Sequence, residues 1–215
     1  MAVKTDRERD GCVLKTVGLM QIDVLSNRNQ CLWPILLLSG LLFTETNPPQ
    51  KSLAELSVKT EDGIVISLAS LRKNQDILVL VFVSSNCPVT SLYLERIKGI
   101  WYNYRNRGVP LYAVGGNSDD SITQVRTTMK SKDLDLPIVW DEGHMAAKIF
   151  GIEFTPEALV FGKNDEVLYR GKIDDFWRDE SQVKNRYLDT AITAALEGKK
   201  TIDHIDDPFM GSKLR

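Results

Sequence analysis

One cysteine of this chain stands where a thiol gains reactivity. Ile77-Leu78-Val79-Leu80-Val81-Phe82-Val83 reads as a buried strand and Ser84-Ser85-Asn86 as a short turn. Cys87-Pro88 then opens a helical pattern. The first turn of a helix offers unpaired N–H groups and partial positive charge, and both favour a thiolate over a thiol. The thiolate is the nucleophile, so the placement points to attack by sulfur. The bland reading is a small, inert residue at the edge of a core.

The other groups with chemical potential read as structural. His144 sits at a helix start and, lacking partners, suits the surface better than a ligand or base role. Glu157 could tune Cys87 but fits better as an exposed strand carboxylate. Asp174-Asp175 could hold a cation, yet carboxylates at a strand exit are usually solvated. Trp101, Tyr102 and Tyr104 suit core and helix surface rather than a stacking platform, because no basic patch surrounds them. Net charge is −2 and no zinc-type cysteine or histidine cluster occurs, so no nucleic acid, metal or cofactor is expected.

The elements that must position Cys87 follow from the rest of the 215 residues. Residues 1–49 form an N-terminal extension containing the apolar run 31–43, whose 13 residues fall short of the roughly 18–20 that span a bilayer. With Arg28 ahead of it, the run resembles the apolar region of a secretory signal or an anchor, and Met20 is a plausible start. The protein is therefore expected to be periplasmic, secreted or membrane-anchored, or cytoplasmic if 31–43 is not a signal. Cys12 and Cys31 lie before or at the edge of that run, which leaves Cys87 as the thiol of the body and argues against a disulfide-stapled fold.

A linker with Asn47-Pro48-Pro49 precedes a folded domain expected at 50–200. Strands are expected at 54–59 and 64–68 around the turn Glu61-Asp62-Gly63, then at 77–83, 111–114 and 136–140, with a closing hairpin of 158–161 and 167–169. Helices are expected at 88–107, 119–132 (capped by Ser118 or Asp119), 144–150 and 184–196. Residues 201–215 read as a polar tail. The order implies an α/β, three-layer arrangement: a central mixed sheet with helices on both faces and an N-terminal β-hairpin extension.

Four stretches carry a resemblance to a known family: FVSSNCPVT at 82–90, WDEGHMAAKIFGI at 140–152, FTPEALVF at 154–161 and VLYRGKIDD at 167–175. They resemble the thioredoxin-like redoxins, a group that includes alkyl hydroperoxide reductase/thiol-specific antioxidant proteins and exported bacterial thiol–disulfide proteins. The likeness covers about residues 50–200 and implies a thioredoxin-like fold. It implies catalysis by Cys87, followed by Pro88. It also places Thr155-Pro156 at the family's cis-proline, with the Thr155 backbone pairing with extended substrate. Ser84 stands where peroxiredoxins have a threonine and keeps the hydroxyl. Arg170 is the expected charge partner of the thiolate.

The departures narrow the chemistry. Thr90 replaces the second cysteine of C-x-x-C, Ser91 that of C-x-x-x-C, and Val81 the buried aspartate of thioredoxin; no cysteine follows near the C-terminal tail. Dithiol exchange needs a second thiol to release the mixed disulfide. What remains is a one-cysteine oxidoreductase of peroxidase character, or thiol–disulfide exchange finished from outside. Its substrate would be a peroxide or a protein disulfide, and an external reductant, thioredoxin-like or a low-molecular-weight thiol, would restore Cys87. The alternative is a non-catalytic module that binds extended peptide at Thr155-Pro156. The missing second cysteine disfavours a metal-handling thiol protein.

Overall fold

Strand β3 (Leu78–Phe82) is buried along its whole length, as an unbroken apolar run requires when both faces of a strand are covered. It pairs in parallel with β4 (Leu111–Gly115), which pairs in parallel with β5 (Ile138–Trp140). On its other side β3 runs antiparallel to β7 (Glu157–Phe161), whose hairpin partner is β8 (Val167–Gly171). The N-terminal hairpin of β1 (Ser57–Thr60) and β2 (Val65–Ser67) joins the far edge, with β1 antiparallel to β5. Gly63 takes the left-handed conformation (φ +85°) that its turn needs. The resulting mixed sheet has seven strands in the order β2-β1-β5-β4-β3-β7-β8. The computed structural model describes residues 52–199 and 211–215; the apolar run 31–43 lies outside them.

Side chains of successive strand residues point to opposite faces, and the two faces carry separate cores. Val79, Val81, Ala113, Ile138, Ala158 and Val160 pack with helices α1 (Pro88–Arg105), α2 (Ile122–Lys130) and α4 (Tyr187–Leu196). Leu78, Leu80, Phe82, Tyr112, Val114, Leu159 and Phe161 pack with α3 (Met145–Phe150) and with Leu53, Leu68 and Leu71 of two 3-10 turns. Helices thus cover both faces, as the three-layer reading requires. The fold is thioredoxin-like.

Several ends differ from the sequence expectation, each for a local reason. Helix α2 starts at Ile122 because Ser121, not Ser118 or Asp119, is the cap: its hydroxyl accepts from the Gln124 amide at 3.2 Å. Helix α4 starts at Tyr187 because the Asp175 carboxylate holds the Lys184 and Asn185 amides, each at 3.0 Å, in a non-helical turn. Residues 53–55 form a 3-10 turn, so β1 begins only at Ser57. The polar tail holds a further element. Residues Ser212–Lys213 form strand β9, paired antiparallel with the two-residue strand β6 (Phe154–Thr155). Among the described residues no helix is long and apolar enough to cross a membrane.

Candidate functional site

Cys87 is the N-cap of α1, directly after the turn that leaves β3. Pro88 occupies the first helical position, where a missing N–H removes no helix bond. The turn is tied from two sides. The Ser84 carbonyl accepts from the Cys87 amide at 3.3 Å, and the Ser84 hydroxyl accepts from the Asn86 amide at 3.2 Å. Asp120, in the loop after β4, accepts from the Ser85 amide at 2.7 Å and from the Ser85 hydroxyl.

The sulfur is fully buried, with polar neighbours on both sides. The Thr90 amide donates to Sγ at 3.4 Å, and the thiol donates to the Thr155 carbonyl at 3.0 Å. The Thr155–Pro156 bond is cis. Burial pushes the Cys87 thiol up. Hydrogen bonds from Ser212, the Thr90 amide and the Thr155 and Thr90 side chains outweigh it, so its pKa lies below the usual thiol value. The Thr90 hydroxyl is buried and has no other hydrogen-bond partner, which leaves it free to serve the sulfur as donor. Cys87, Pro88, Thr90, Thr155 and Pro156 therefore meet at one place.

Ser84 stands in the turn before Cys87 and keeps its hydroxyl, whereas Arg170 lies otherwise than expected. The Ser84 hydroxyl oxygen accepts within the turn, and its proton is left to donate. Arg170 donates to the Phe150 carbonyl (3.1 Å) and lies 3.6 Å from Glu157, so its guanidinium is engaged there rather than at the thiol. The displacement follows from register: Arg170 is paired with Leu159 in the middle of β7, past the Thr155 end of the strand.

Three further side chains correct the sequence reading. Glu157 is 2% exposed, not a surface carboxylate, and burial raises its pKa to about 7 against the opposing pull of Arg170 and the Glu153 amide. Asp174 is not solvated. It is 2% exposed and accepts from Arg96 at 2.7 Å, the Tyr93 hydroxyl at 2.7 Å and the Phe176 amide at 3.0 Å. His144 does stand at the start of α3, but its ring bonds the Gly116 carbonyl instead of facing solvent freely. Trp101 and Tyr104 pack on the core and Tyr102 is exposed, as expected.

Sequence reasoning missed Ser212 altogether. Pairing of β6 with β9 sets Ser212 opposite Thr155, which brings the tail to the sulfur. A cavity of about 360 Å³ between Lys73, Trp101, Arg105 and Tyr112 lies beside the start of β4, at the opposite end of the parallel strands from Cys87.

Comparison with known proteins agrees with this fold. The fold matches an uncharacterized conserved protein from Geobacillus kaustophilus at TM-score 0.66 and 22% identity, over 78% of this chain and 92% of that one. It matches a putative thiol:disulfide interchange protein DsbE from Chlorobium tepidum at TM-score 0.53 and 16% identity, over 66% and 92%. It also matches a secreted Mycobacterium tuberculosis disulfide oxidoreductase described as homologous to DsbE of E. coli. There the TM-score is 0.50 and the identity 13%, over 66% and 96%. No curated protein matches in sequence. The profile of the AhpC/TSA family matches residues 49–170, more than half of the chain, and this thioredoxin-fold protein belongs to that family.

Proposed function

We infer that the protein is a thiol-based oxidoreductase that works through Cys87 alone and reduces a peroxide. The observation that carries this reading is the sulfur at the N-terminus of α1, held by the Thr90 amide and lowered in pKa, with Thr90 where a second thiol would stand. The Cys87 thiolate attacks one peroxide oxygen and the O–O bond breaks. The sulfur is oxidised to a sulfenic acid and the other oxygen leaves as water or an alcohol after taking a proton. An external thiol then condenses with the sulfenic acid, releasing water, and a second thiol reduces the mixed disulfide to restore Cys87. Thr90 supplies a hydroxyl to the anion in the first step.

Thiolate absorbance, taken as the difference between wild type and Cys87→Ser, is expected to titrate below the ordinary ~8.5 of a free thiol. Hydrogen peroxide at modest excess, with a dimedone trap, is expected to give one adduct on Cys87. Absence of that adduct, with the thiolate present, sinks the peroxidase reading.

A second reading keeps the fold without the redox chemistry: a module that binds extended peptide at Thr155-Pro156. The pairing of β6 with β9 favours it, because that edge already holds a strand. Export is the proposed localisation, supported by the apolar run 31–43. The mature N-terminus, read by mass spectrometry, is expected to lie after that run if the signal is cleaved, and retention of Met1 or Met20 would reject cleavage.

A further inference from the structure

Residues 211–215 lie along the edge beside the thiol as an added strand. Thr155 pairs with Ser212 and Phe154 with Lys213. The Leu214 amide donates to the Glu153 carbonyl at 2.8 Å. Beyond β6 the segment crosses to the loop after β4. There the Arg215 amide donates to Asn117 Oδ1 at 2.9 Å, and the Ser118 amide donates to the Arg215 carbonyl at 2.9 Å. Asn117 is 4% exposed, so this is an ordered contact rather than a surface brush. The Leu214 side chain packs on the core behind α3.

Fit is close at the first of these residues. A Cβ built on Gly211 would overlap the Thr155 carbonyl oxygen, the same oxygen that accepts from the Cys87 thiol. That neighbour is backbone, held between β6 and the start of β7, and it cannot swing aside as a flexible side chain would. Thr155 Oγ1 also donates to the Ser212 carbonyl at 3.4 Å. The segment thus occupies the backbone edge that an extended polypeptide partner would need, and it does so with its smallest residue at the tightest point.

We propose that residues 211–215 are a built-in occupant of the thiol edge, a strand that closes over Cys87 and must leave before the sulfur meets a substrate. The proposal rests on the reading of Cys87 as the reactive group and adds its regulation. Main-chain hydrogen bonds hold most of the strand, so an incoming extended segment can replace them bond for bond. Such a competitor needs glycine or a comparably bare backbone opposite the Thr155 carbonyl, and an aliphatic side chain where Leu214 sits. Ser212 links the two states: its hydroxyl bonds the sulfur when the strand is closed, and when the strand opens the Thr90 amide and hydroxyl remain to hold the thiolate.

The test reads access to sulfur, not redox turnover. Iodoacetamide is applied to the full chain under native conditions, and the adduct on the Cys87 peptide is followed by mass spectrometry, which separates it from Cys12 and Cys31. Gly211→Val is expected to raise the Cys87 alkylation rate at least tenfold, because the valine Cβ cannot pass the Thr155 carbonyl. A variant in the opposite direction guards against simple unfolding. Phe154→Cys with Lys213→Cys places two thiols directly across the β6–β9 pair, and the oxidised lock is expected to slow alkylation of Cys87 at least tenfold below the same variant reduced. Equal rates for wild type and Gly211→Val, or for the locked and reduced forms, overturn the proposal. If alkylation follows the strand while peroxide gives no adduct in any variant, the peroxidase reading fails and the strand stands. If the peroxide adduct forms at one rate in all of them and alkylation is indifferent, only the strand proposal falls.

Discussion

Arg96→Ala is expected to destabilise the protein by about 3–5 kcal/mol, the loss typical of breaking a buried ion pair from one side. Arg96 and Asp174 are 7% and 2% exposed, and their closest approach is 2.7 Å. Arg96 also donates to the Phe176 carbonyl at 2.8 Å and the Trp177 carbonyl at 3.2 Å. Removing it strands the Asp174 carboxylate in a dry place with only the Tyr93 hydroxyl and the Phe176 amide. For a chain of this size each kcal/mol lowers Tm by roughly 2–4 °C, so a fall of about 6–20 °C is expected. Replacing both partners together, as Arg96→Met with Asp174→Leu, is expected to recover most of the loss, since no charge is then left unpaired. Urea denaturation of the two single variants and the double variant measures the coupling. A single-variant loss under ~1 kcal/mol, the range of exposed ion pairs, would contradict the burial. The pair joins α1 to the segment after β8, so it also anchors the helix whose first turn serves Cys87.

The sequence carries the parts of the fold that local pattern dictates. The apolar run at 77–83 reads as a strand covered on both faces, and β3 is one. Cys87-Pro88 at the helix start followed from the same pattern, because proline is tolerated at the first helical position. Thr155-Pro156 came from resemblance, not from periodicity, and the structure sets Thr155 against the sulfur. What escaped was set by pairings distant in sequence. Ser212 reaches the thiol through a strand of two residues, too short to show alternation. Asp174 meets Arg96 across 78 residues, and nothing local to an Asp-Asp pair reports such a partner. Arg170 was given to the thiol by analogy, but its place in the β7–β8 register sends it to Glu157 instead. Glu157 was misplaced for a related reason: next to four apolar residues of a central strand, even its side chain is enclosed.

Glu157 makes stability depend on pH with a sign opposite to that of most carboxylates. Burial lifts its pKa from 4.5 to about 7, although Arg170 lies 3.6 Å away and the Glu153 amide donates to it at 3.3 Å. The Glu153 carboxylate nearby adds like charge, which also disfavours the ionised form. Between pH 4.5 and 7 the folded protein therefore holds a proton that the unfolded chain has released. The stabilisation is complete below the unfolded value and is lost as pH rises through the folded one. A gap of this size corresponds to about 3 kcal/mol at 1.36 kcal/mol per unit. Glu157→Gln has the shape of the protonated acid and cannot ionise. It is expected to match wild type near pH 5 and to exceed it in stability by up to about 3 kcal/mol at pH 8. Urea midpoints of both proteins across that range give the comparison directly. Parallel curves would mean that Arg170 neutralises the carboxylate after all, and that the ion pair outweighs burial. Diverging curves would place a proton, at neutral pH, on the residue that directly follows Pro156 at the thiol edge.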